Sequence, residues 1–110
     1  MEISVVSGNG LNEPSDLAVL AVFEGEALPD HVAGLLEPQD FTGRSQQVVV
    51  LYPRGVVAPR RLLLVGLGKR EALTAETIRR AAAQAVQQAR TMQIEAVSIG
   101  VNGDLGLDPE

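Results

Sequence analysis

Residues 60–90, RRLLLVGLGKREALTAETIRRAAAQAVQQAR, constrain this chain most, because they set a buried strand, a glycine turn and an amphipathic helix end to end. Leu62, Leu63, Leu64 and Val65 form an uninterrupted apolar run, the pattern of a strand covered on both faces. Gly66 and Gly68 are expected to break it. Thr74 is a good helix N-cap, Glu76 falls in the first turn where the helix dipole favours negative charge, and no breaker follows as far as Met92. Ile78, Ala81 or Ala82, Ala85, Ala89 and Met92 recur at helical spacing, and the small alanines permit close approach to a sheet. Strand, turn and helix make half of a βαβ unit. Ala96, Val97, Ser98, Ile99, Gly100 and Val101 supply the next strand, expected to pair parallel with the 62–65 strand through a right-handed crossover.

The preceding residues add strands to the same sheet. Ile3 and Val5 alternate with Glu2 and Ser4 in a first strand, SGNG ends it in a turn, and 12–15 continue as loop. Residues 17–23, LAVLAVF, are apolar throughout, which assigns them to the centre of the sheet. Pro29 suits the first turn of a short helix carrying Val32, Leu35 and Leu36 on one side, with Pro38 as its stop. Val48, Val49, Val50, Leu51 and Tyr52 form a third strand, and Pro53, Arg54 and Gly55 turn the chain back into the 61–65 strand as an antiparallel hairpin. The expected fold is α/β, a mixed sheet flanked by helices, over 1–101. The last residues, 102–110, read NGDLGLDPE and are expected to be loop.

A chain of 110 residues holds one domain with one modest core. Aromatic residues are 3% of it, so the core is aliphatic and few rings are present on which nucleobases can stack. Net charge of −5 disfavours phosphate backbones and anionic membranes, although Arg54, Arg60, Arg61, Lys69, Arg70, Arg79 and Arg80 cluster in the middle of the sequence. These are read as charges guarding the end of a buried strand, at Arg60 and Arg61, and as solvated helix charges, at Arg79 and Arg80. With no cysteine there are no disulfides and no thiolate chemistry. No apolar run approaches the ~20 residues of a membrane span, and no secretory signal is evident, so a cytoplasmic location is expected.

The candidate ligand-binding residues are Gly66, Gly68 and Lys69, because a strand leading through Gly-x-Gly toward a helix is the geometry of dinucleotide sites. The third glycine of G-x-G-x-x-G is replaced by Glu71, and the helix begins only near Thr74. A Walker A motif fails as well, since Arg70 stands where Ser or Thr is required. The competing structural reading is that the two glycines relieve crowding at a tight exit from the strand, with Lys69 and Arg70 in solvent. His31 is the single histidine and is expected to face solvent at the start of the short helix. No nucleophile elbow surrounds Ser7, Ser15, Ser45 or Ser98. The carboxylates Glu13, Asp16, Glu24, Glu26, Asp30, Glu37 and Asp40 are scattered, and Asp104, Asp108 and Glu110 do not match an EF-hand, so neither a metal site nor a catalytic residue is expected within the chain.

VGLGK after a basic-flanked apolar strand, then LT-x-E-x-IRRAAA, resembles the amino-terminal domain of the M17 leucyl (cytosol) aminopeptidases. EISVVSG followed by DLAVLAVFEGEAL resembles the first two strands of that domain, and FTGRSQQVVVLYPRG its middle hairpin. The resemblance implies a macro-domain-like fold that lacks its last helix and strand here, so that a sheet face is open to self-association. It also implies a non-catalytic, architectural role beside a carboxy-terminal domain that carries two divalent metals, zinc or manganese, and the catalytic residues, within a parent enzyme that is a hexamer. The alternative is a free-standing macro-like module binding a nucleotide-type ligand such as ADP-ribose. Nucleic-acid binding through the arginine cluster is disfavoured by the acidic balance.

Overall fold

A computed structural model describes residues 2–5 and 15–101. Its elements in chain order are β1 (Glu2–Val5), β2 (Leu17–Phe23), α1 (Asp30–Ala33), a 3₁₀ turn (Pro38–Asp40), β3 (Val48–Leu51), β4 (Leu62–Gly68), a second 3₁₀ turn (Arg70–Ala72), α2 (Ala75–Thr91) and β5 (Ala96–Val101). The strands form one mixed sheet in the order β1-β5-β2-β4-β3. β1 runs parallel to β5, and β2 runs parallel to both β5 and β4. β3 pairs antiparallel with β4, as the hairpin pattern predicts. The expected turn at SGNG and the expected terminal loop at 102–110 lie outside the described residues.

The seven apolar residues of β2 are all buried, and the strand is central, as its composition requires. Leu17, Val19, Ala21 and Phe23 join Leu63, Val65 and Leu67 of β4 beneath Ala81, Ala85 and Ala89 of α2. Ala18, Leu20 and Val22 face the opposite layer, where Leu62 and Leu64 pack with Val32, Phe41 and Val57. Each fully buried Leu, Val or Phe contributes roughly 1.5–3 kcal/mol of transfer free energy, so this two-sided packing dominates stability. Thr74 caps α2 by accepting the amide of Thr77 at 3.2 Å. Ile78, at the helix start, is 37% exposed, so the buried stripe is narrower than its spacing suggests.

Four expectations are corrected. β5 does not pair with β4. It lies between β1 and β2, because β2 is apolar on both faces and takes a parallel partner on each side, so the α2 crossover passes over it. The short helix is confined to Asp30–Ala33 and ends at Gly34, leaving Leu35 and Leu36 beyond it, while Pro38 opens the first 3₁₀ turn. The glycines do not end the fourth strand, which runs through both to Gly68. The turn after β3 is not a tight link. Arg54 and Gly55 do reverse the chain, both at positive φ (53° and 94°) as in a type I′ turn, but residues 52–61 then form a longer connection whose Val57 is buried.

Candidate functional site

The carboxyl ends of β2 and β4 lie together, where ligands bind in many open α/β sheets, and they carry the glycine candidates. Gly66 donates its amide to the Gln47 carbonyl at 2.8 Å, and Gly68 donates to the Gly43 carbonyl at 2.9 Å. Both amides that a phosphate would need are therefore engaged by the segment leading into β3. A Cβ on Gly66 would overlap the Arg44 carbonyl oxygen and lie 2.8 Å from the carbonyl carbons of Arg44 and Gly43. The missing side chain is what lets the 43–45 backbone cross the strand. Gly68 sits at φ +77°, with Ser45 against it.

Gln47 fastens that crossing segment. Its Oε1 accepts the amides of Thr42 and Gly43 at 2.9 and 3.0 Å and the Thr42 hydroxyl at 3.2 Å. Its Nε2 reaches the Asp40 carbonyl at 3.5 Å. One amide side chain thus holds the turn that covers the glycines.

Lys69 is exposed, as expected, but Arg70 is not free in solvent. Its guanidinium lies 4.1 Å from the centroid of the Phe23 ring, and its Nε and Nη2 donate to Glu26 Oε1 at 3.0 and 2.6 Å. The last ring of β2 supplies a face, and the turn after β2 supplies a carboxylate, so Arg70 ties the entry of α2 to the end of the central strand. Sequence spacing misses this group, because Glu26 and Arg70 are 44 residues apart. Only the adjacency of β2 and β4 brings them together.

The remaining cations disperse. Arg79 and Arg80 both pair with Glu76 on α2, at 3.2 and 3.1 Å. Arg61 lies at the opposite end of β4, 6.0 Å from the Tyr52 ring, and with Arg60, Asp16 and Ile94 it lines a polar cleft. A seven-residue strand spans about 20 Å, so the basic cluster of the sequence is split between two ends of the sheet and a helix face. His31 is exposed on α1. Among the described residues no three His, Cys, Asp or Glu side chains come together to hold a metal ion, so the donor set does not fit one. No helix among them is long and apolar enough to cross a membrane.

The structure thus defines an α/β domain with a mixed sheet whose glycine-bearing strand end is closed by its own chain. The profile of the cytosol aminopeptidase family, N-terminal domain, matches residues 9–103, and the chain belongs to that family. It is 41% identical over 95 residues to a probable cytosol aminopeptidase of Roseiflexus castenholzii, an alignment covering 86% of this chain and 20% of that protein. A probable cytosol aminopeptidase of Geobacter sp. is 37% identical over 83% of this chain and 21% of its own length. The chain spans about a fifth of the length of these curated relatives. The fold is also similar to that of a mutant tomato leucine aminopeptidase, with a TM-score of 0.74 and 17% identity over 98% of this chain and 24% of that one.

Proposed function

We propose that this chain acts as the non-catalytic, architectural amino-terminal domain of a metal-dependent aminopeptidase that removes amino-terminal residues from peptides in the cytoplasm. The observation that carries the reading is the family match over 9–103 in a chain about a fifth as long as its relatives. In this reading the two divalent metals, zinc or manganese, and the catalytic groups belong to a carboxy-terminal domain, and the parent enzyme is a homo-oligomer, a hexamer. The domain offers that partner a stable scaffold, because its strand ends are tied by Gln47 and by the Arg70–Glu26 pair. The test is turnover of a leucine amide substrate by the purified 110-residue chain with zinc, manganese or cobalt. No turnover is expected, and metal-dependent cleavage that co-purifies with the chain overturns the reading.

A further inference from the structure

β3 is an outer strand of the sheet, and among the described residues nothing pairs with its far edge. Gly66 donates to the Gln47 carbonyl in register with the β3–β4 ladder, which sets the phase of the hydrogen bonds. In an antiparallel ladder the bonded residues alternate, so Val49 and Leu51 direct their backbone polar groups toward β4, in phase with the Gln47 carbonyl, while the Gln47 amide turns back to the Arg44 carbonyl at 3.0 Å. Val48 and Val50 direct theirs outward, and Tyr52, one residue past the strand and biased to extended backbone by Pro53, continues that phase.

Natural edge strands are usually blunted by charge or by an interrupting proline, and this one is not. Residues 45–53 read SQQVVVLYP, with no charged side chain and with proline only at the end. The strand is also half-buried along its length: Val48 and Val50 pack partly against the core under α2, while Val49 and Leu51 pack partly against the opposite layer. Apolar surface therefore reaches the edge on both faces.

We infer that the β3 edge pairs with the β3 edge of a second copy of this chain, antiparallel about a two-fold axis through Val50, joining the two sheets into one. The register follows from the geometry. A two-fold axis normal to the sheet keeps each face on its own side, so it must pass through a residue rather than between two. Centring it on Val50 sets Val50 opposite Val50 and Val48 opposite Tyr52, so every outward amide and carbonyl of the three residues finds a partner. Centring it on Val49 demands Gln46 as a strand residue opposite Tyr52, and Gln46 is at φ 70°, outside extended backbone. The second copy suits this edge because like charges meet across a two-fold, and here there are none to meet. Each chain has a net charge of −5, so the two copies repel at long range and added salt tightens the pair.

The association is independent of the architectural role proposed above and is read in the native chain first. Sedimentation is expected to show a monomer–dimer equilibrium that shifts toward dimer with salt. Amide hydrogen exchange at Val48, Val50 and Tyr52 is expected to slow about tenfold as concentration rises, with no change at Val49 and Leu51. Val50→Lys and Val50→Glu, each placing like charges across the axis, are expected to be monomeric, and mixing them is expected to restore a dimer. A native chain that stays monomeric up to about 1 mM overturns the inference. So does a dimer in which the three outward amides stay unprotected, or folded charge variants that associate as well alone as together. Should the variants not fold, the exchange pattern of the native chain decides.

Discussion

Gly66 shows how one missing methyl decides a local structure. The backbone of 43–45 crosses β4 where a side chain would stand, and the Gly66 and Gly68 amides close onto that segment. Gly66→Ala is expected to destabilise by about 3 kcal/mol, since the colliding atoms are backbone and cannot swing aside. Gly25→Ala is the matched control: Gly25 is at φ +84° but has no heavy atom within 4 Å of an added Cβ, so only the backbone penalty of about 1 kcal/mol applies. Urea denaturation of the two variants separates them, and equal losses would mean that the crossing segment does not press on the strand. At Arg70 both charge and shape contribute. Arg70→Lys keeps the charge but loses the planar contact with Phe23 and the two-pronged contact with Glu26, and is expected to cost about 1 kcal/mol. The ion pair is about one-third exposed, so its coupling in a double-mutant cycle with Glu26→Gln is expected to be under about 1 kcal/mol and to shrink with salt.

At the scale of elements, α2 depends on its small residues. Ala85 is 2% exposed and meets the sheet, so Ala85→Arg forces a guanidinium without a partner toward Val19 and Val65 and is expected to destabilise by about 3–5 kcal/mol. Thr74→Ala removes the cap bond from the Thr77 amide together with the exposed contact to the Thr77 hydroxyl, and is expected to cost about 1 kcal/mol. Thermal melts by circular dichroism rank the two, and an unchanged Ala85→Arg melt would show the helix face to be wrongly assigned. The elements that are legible in the sequence are those whose pattern is local. The cap at Thr74, the alanine stripe and the continuous apolarity of β2 and β4 each follow from neighbouring residues. The length of α1 is not legible, because its ending at Gly34 leaves a four-residue turn that depends on Val32 burying itself. Nor is the strand order. The periodicity of residues 75–101 specifies a helix and then a strand, but it says nothing of whether that strand lands beside β4 or beyond β2. That choice rests on which strand most needs cover on both faces and at both edges, a competition among distant segments.

For the whole molecule, the family could be read from the sequence because its signature is spread over strand, turn and helix, whereas the chemistry at the glycine turn could not. Gly-x-Gly after a strand has the same appearance whether its amides face a phosphate or a loop, and only the path of residues 43–47 separates the two. The same reasoning bears on metal ions. Glu26 and Glu76 are committed to arginines, His31 stands exposed on α1, and no third donor joins any pair among the described residues. A divalent ion held by a folded site stabilises by mass action, about 2.7 kcal/mol at a hundredfold excess over its dissociation constant. For a domain of this size each kcal/mol moves the melting temperature by about 4–8 °C, so such a site would raise it by more than about 10 °C. Melting the 110-residue chain with and without millimolar zinc or manganese is therefore expected to give superimposable curves. A rise of that size would place metal binding within this domain and overturn the proposal that the metals belong to a carboxy-terminal domain.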